Sequence, residues 1–145
     1  MRVRMGISFL LMVAAFVAAC GDSSNNDLPQ LGGGEPIDQT ATFVRVQNEI
    51  FTPTCAVLGC HDPLGQQESM ILSPGRAYEQ TVNRPSVEMP SLMRIAPGDP
   101  ANSYLYRKIT GAGITGDRMP QGGPYLSDAR IKLIRDWIRR GAPND

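Results

Sequence analysis

The residues of this chain best suited to do chemistry are Cys55, Cys60 and His61, in the run Cys55-Ala56-Val57-Leu58-Gly59-Cys60-His61. They are two of its three cysteines and its only histidine. Covalent haem attachment uses this residue set: two thiols add across the haem vinyl groups, and an imidazole directly after the second thiol reaches the iron. The signature for that chemistry is C-x-x-C-H, whereas the spacing here is C-x-x-x-x-C-H. Cys60 and His61 keep their adjacency, so the iron ligand and one thioether are unaffected. The two extra residues must bulge ahead of Gly59, whose backbone has the freedom for it. Two other readings stay open. A Cys55–Cys60 disulfide closes a small loop and leaves His61 solvated. A zinc site finds only three of the four ligands that closed structural sites use.

With one histidine, His/His ligation of an iron is impossible within the chain, and a methionine thioether is the alternative. Met119, in Asp117-Arg118-Met119-Pro120-Gln121-Gly122-Gly123, is the leading candidate, because a Gly/Pro-rich loop can aim a side chain at a ligand. Met89 also precedes a proline and is its main rival; Met70 and Met93 compete, and all four equally suit flexible core filling. Arg94 and Arg118 are candidates to pair with haem propionates, or are solvated surface arginines. Gly111 to Gly116 matches G-x-G-x-x-G but follows a helix and leads into a loop, the reverse of a nucleotide site. Those glycines are expected to let the backbone pass close to a flat ligand. Once His61 is committed, no Ser/His/Asp or Cys/His catalytic arrangement is left. A peroxidase would need the open iron position that Met119 takes.

Short helices are expected to carry these residues. The first runs from near Thr42 to Phe51, with Phe43, Val46, Ile50 and Phe51 on one stripe and Pro53 as its stop. A second starts at Ser73 as cap with Pro74 at its first position and carries Tyr78 and Val82. Asp99-Pro100 opens a third, with Tyr104, Leu105 and Ile109 inside and Gly111 as its stop. The last is the clearest. Ser127 caps it, Asp128 sits at its positive end, Ile131, Ile134 and Ile138 line one face with Leu133 and Trp137, and Gly141 ends it after Arg135, Arg139 and Arg140. No stretch alternates with period two and no repeat is present, so the predicted class is all-α, short helices joined by long loops.

The N-terminus carries an address. Arg2 and Arg4 precede the apolar run Ile7 to Ala19, which at 13 residues is too short for a spanning helix and fits a secretory signal. The run ends Val17-Ala18-Ala19-Cys20, which resembles the bacterial lipobox, where cleavage precedes a cysteine that receives lipid; the alternative is an ordinary signal peptide with an incidental Cys20. The predicted organisation is a lipoprotein signal peptide over 1–19, a flexible Gly/Ser/Asn/Pro tether over 20–40 and one domain over 41–145. That places the protein in the cell envelope, anchored to a bilayer through acylated Cys20. Without residues 1–19, twelve basic side chains face fourteen acidic ones, a net charge of −2, which is no footprint for nucleic acid. The remaining two cysteines allow one disulfide or two thioethers, and no disulfide framework. A domain of this size with seven aromatics and many Gly and Pro is marginal on its own core, which a buried haem would enlarge.

The cysteine motif after Ile50-Phe51, then Arg118-Met119-Pro120 and the closing Leu126-Ser127 to Trp137-Ile138 and Gly141-Ala142 pattern, resembles class I cytochrome c domains. The middle segment from Met93 to Pro100, with Ser103-Tyr104-Leu105 and Lys108-Ile109, is similar to the planctomycete-type and myxobacterial branch found on lipoproteins. The likeness spans Phe43 to Pro143, and the two-residue insertion between the cysteines is its departure. The resemblance implies a monohaem electron carrier with other redox proteins as partners and no enzymatic activity. It implies haem c on Cys55 and Cys60, His61 as proximal iron ligand, Met119 as distal ligand, and first and last helices that cross. The alternative is a haem-free envelope lipoprotein, closed by a Cys55–Cys60 disulfide and acting as a binding or structural module.

Overall fold

Thr42 starts the first helix as the sequence implies: its hydroxyl accepts from the Arg45 amide at 3.2 Å. The computed structural model of the chain describes residues 35–145. The expected signal peptide, Cys20 and residues 20–34 of the expected tether lie outside the described residues. Helix α1, Phe43–Val46, runs directly into a nine-residue π-helical segment, Gln47–Cys55. Pro53 therefore does not stop the helix where the sequence reading put its end. In the wider π turn the bonds reach back five residues, as from the Ala56 amide to the Phe51 carbonyl at 2.8 Å. That relieves the clash of a proline ring with the carbonyl four residues back. The consequence is positional, since the same continuous helix delivers Ile50 and Phe51 to the core and Cys55 to its end.

Helix α2, Ala77–Thr81, starts later than Ser73-Pro74 predicts, because Gly75 at φ +78° inserts a turn first. Val82 falls just beyond it and makes an isolated parallel bridge to Ile95. Asp99 caps as expected, accepting from the Asn102 amide at 3.1 Å, but opens only a 3-10 turn, Pro100–Asn102. Helix α3, Tyr104–Thr110, begins after an extended and fully buried Ser103 and ends at Gly111, at φ +83°. Helix α4, Asp128–Arg139, is capped by Ser127 and followed by Gly141 at φ +93°. The fold is mostly α, and the described residues form isolated bridges and no strand.

α4 packs on α1 and on α3. Val46 and Ile50 on one side and Ile134, Trp137 and Ile138 on the other are fully buried. Each such aliphatic side chain contributes about 1.5–3 kcal/mol over its exposed state. Phe43 lies 5.5 Å from Trp137 and 5.2 Å from Tyr78, ring centre to ring centre. The polar tips are satisfied within the chain: Trp137 Nε1 donates to Pro143 O and the Tyr78 hydroxyl to Ala142 O. Glu35 to Thr40, assigned to the tether by composition, belong to the same compact unit as the helices. Glu35 pairs with Arg135 at 2.6 Å, and the Asp38 amide donates to buried Asp136 at 3.1 Å. Among the described residues no helix is long and apolar enough to cross a membrane.

Candidate functional site

A cavity of about 810 Å³ opens between the π-helical segment, α3, α4 and the loops around them. It lies within the range of small-molecule and cofactor pockets, about 300–1,000 Å³. Its apolar lining includes Ile50 and Phe51, Leu105 and Ile109 of α3, and Leu126 and Ile134. Cys55, Cys60, His61 and Met119 all line it, so the fold gathers residues up to 64 positions apart onto one space.

The long cysteine spacing is absorbed by a closed bulge. The Cys60 amide donates to Val57 O at 3.0 Å, a tight turn whose third residue, Gly59, takes the φ of +80° that such a turn requires. The His61 amide donates to Cys55 O at 3.1 Å and brings the two cysteine backbones back together. Leu58, at the tip, is 82% exposed.

His61 is half-buried, and its Nδ1 lies 3.1 Å from Gln67 O and 3.3 Å from Met70 O. Carbonyls only accept, so Nδ1 carries the proton and Nε2 carries the lone pair, the tautomer that a metal-binding imidazole needs. Burial pulls the imidazole below its ordinary pKa, against the two carbonyl bonds that raise it, and so favours the neutral ligand form. Cys55 and Cys60 are both free thiols. Burial, reinforced by the neighbouring Cys60, pushes the Cys55 thiol up to about 12, so it is protonated at neutral pH.

Behind the motif stands Asp62, which the sequence reading missed. Its carboxylate accepts from the amides of Gly59 at 3.0 Å, Leu64 at 3.3 Å and Gly65 at 2.8 Å. Burial alone would raise its pKa, but these amides outweigh it and hold the carboxyl below the usual range. Gly65 has no room for a side chain, since a Cβ would stand 2.5 Å from Cys60 O and 2.5 Å from Gly59 C. The signal was present as Asp62-Pro63 followed by Gly65, a turn-forming run immediately after the histidine.

Met119 is half-buried, and its amide donates to Lys108 O at 2.9 Å. Lys108 also binds Thr115 O at 2.9 Å and Glu88 at 3.1 Å, so one α3 residue ties the Met119 loop down at two points. The rival Met89 does not line the cavity: it sits in a turn closed by the Leu92 amide on its carbonyl, 2.9 Å. Met93 is absent from the lining too, while Met70 lines it next to the carbonyl that His61 uses. Arg118 is turned to other work, with Nε on Ile109 O at 2.8 Å and its guanidinium 4.3 Å from the Tyr125 ring centre. Arg94 lines the cavity, but three of its contacts are to main-chain carbonyls. Arg130 lines the cavity and was not singled out, although its place four residues before Ile134 puts both on one face of α4. Of the glycine run only Gly116 reaches the cavity; Gly111 and Gly113 serve positive-φ turns instead.

Among the described residues no three His, Cys, Asp or Glu side chains converge on a metal position, so the zinc reading finds no support. The donors present are one imidazole and the thioethers of Met119 and Met70 beside two thiols and an apolar volume, a set that fits a thioether-linked haem. No protein-family model, no curated protein and no solved structure matches the chain.

Proposed function

We propose that this chain is a monohaem c-type cytochrome domain with a cytochrome c-like fold that carries electrons in the bacterial cell envelope, anchored to a membrane through acylated Cys20. The observation that carries the reading is His61, held by two carbonyls in the Nδ1-protonated tautomer on the wall of a cavity it shares with Cys55, Cys60 and Met119. Haem c, when bound, supplies reversible one-electron transfer. The thiols of Cys55 and Cys60 would hold it by thioethers, His61 Nε2 and the Met119 sulfur would ligate the iron, and Arg130 on the cavity wall would pair with a propionate.

The protein's own contribution is to orient and to exclude water. The Cys55–His61 closure presents both thiols and the imidazole from one short segment. Ile50, Phe51, Leu105 and Ile134 supply the apolar walls. Lys108 restrains the loop that brings Met119 to the cavity. No bond in a substrate is made or broken, and the partners are other redox proteins.

Production of the full chain in a host with a c-type maturation system tests this reading. A pyridine haemochrome spectrum and a mass increase of one haem are expected. A colourless product lighter by two hydrogens would replace this reading with the haem-free, disulfide-closed module.

A further inference from the structure

The loop after the cysteine motif is strained. Gln66, Glu68 and Ser69, none of them glycine, take φ of 45°, 54° and 51°. A left-handed conformation is unfavourable for an L-amino acid with a Cβ, and a cluster of three persists only where surrounding contacts over-determine it. This loop also supplies the acceptors for His61 Nδ1, the carbonyls of Gln67 and Met70.

Arg94 is what holds it. The residue is 9% exposed and projects from the segment that pairs with Arg84 and Leu105. Its Nη2 donates to Glu68 O at 2.8 Å and Ser69 O at 3.3 Å, and its Nη1 donates to Gln80 O at 2.8 Å. One planar fork therefore spans the strained loop and the end of α2, which the point charge of a lysine does not do. The carbonyls it grips, 68 and 69, lie between the two that grip the imidazole, 67 and 70.

We propose that Arg94 is a positioning residue: by clamping the strained loop 66–69 it sets the tautomer and orientation of His61, and through them the reduction potential of the bound haem. The potential rests on the haem reading; the tautomer does not. A hydrogen bond from Nδ1–H to a carbonyl makes the other ring nitrogen a more basic ligand, which favours the oxidised iron.

The test uses the full chain in two states. In the free-thiol protein, long-range nitrogen–proton NMR reports the tautomer of His61, and the signal needs no assignment because the chain has one histidine. Wild type is expected to be Nδ1-protonated. R94Q is expected to give a tautomer mixture, R94K a mixture closer to wild type. E68P gives a second route that leaves Arg94 in place: proline cannot adopt φ +54°, and the Glu68 side chain is exposed, so the loop is distorted without a core change. In haem-loaded protein, R94Q and E68P are expected to raise the potential. An unchanged tautomer in E68P and in either folded Arg94 variant overturns the clamp, and an unchanged potential beside an altered tautomer overturns the tuning. Failure of wild type to load haem refutes the cytochrome reading and leaves the tautomer result standing.

Discussion

The His61 amide meets the Cys55 carbonyl at 3.1 Å, so the seven-residue segment 55–61 returns on itself. Gly59 makes that return possible. An added Cβ at Gly59 would have no neighbour within 4 Å, so Gly59→Ala carries a conformational penalty alone, about 1–2 kcal/mol from φ +80°. The expected result is a lower urea midpoint at unchanged m-value and a reduced yield of covalently loaded protein. A variant as stable as wild type would show that the bulge does not need its left-handed residue.

Asp62 and Gly65 brace the same bulge from behind. Asp62→Ala strands three amides that the carboxylate now receives, and the expected loss is about 1–3 kcal/mol. Gly65→Ala forces its Cβ against main-chain atoms of Gly59 and Cys60, which have no flexible end to move aside, and is expected to be at least as damaging. Denaturant titration of both variants measures this. Equal stability of Gly65→Ala and wild type would mean that the segment 59–65 relaxes freely.

Met119 and Met89 separate cleanly. Met119 lines the cavity and Met89 is held in a turn outside it. In haem-loaded protein, Met119→Ala is expected to abolish the sulfur-to-iron absorption near the red end and lower the potential, since a thioether ligand raises it. Met89→Ala is expected to leave the spectrum intact. The reverse pattern transfers the ligand role to Met89.

Much of this arrangement is legible in the sequence, because it is written in local signals. Ser127, the isoleucine stripe of α4 and Gly141 mark a helix by capping and periodicity, and the structure has it within a residue of those marks. Thr42, Asp99 and Gly111 act in the same local way. The misreadings have causes that capping and periodicity do not show. Pro53 ends an α-helix but not the wider π turn, which keeps Ile50 and Phe51 buried. Ser73-Pro74 is a good helix start until Gly75 takes positive φ. Arg94 and Arg118 both have the right charge for propionates, but the contacts that occupy them, Glu68 and Gln80 for Arg94 and Ile109 and Tyr125 for Arg118, come from other segments of the chain. The left-handed residues Gln66, Glu68 and Ser69 have no glycine among them to announce the turn.

Asp136 gives the fold an acid sensitivity. Its side chain is fully buried on α4 and accepts from Lys132, from Arg135 at 3.1 Å and from the Asp38 amide at 3.1 Å. Burial alone would push its carboxyl up; the bonds to Lys132, to the Asp38 amide and to Arg135 outweigh that and hold it below the ordinary value. A carboxyl depressed in the folded state contributes stability that is complete above its unfolded pKa, about 3.9, and is lost as pH falls through the folded value. The loss weakens the bond from the Asp38 amide and the pairs with Lys132 and Arg135. Asp136→Asn keeps the shape and removes the proton linkage, so it is expected to be less stable than wild type at neutral pH. Its acid denaturation profile should be shallower, by up to about 1.4 kcal/mol per pH unit across that window. Parallel wild-type and variant profiles between pH 2 and pH 5 would assign the acid sensitivity to the other depressed carboxylates, Glu35, Asp38, Asp62, Asp99 and Asp145.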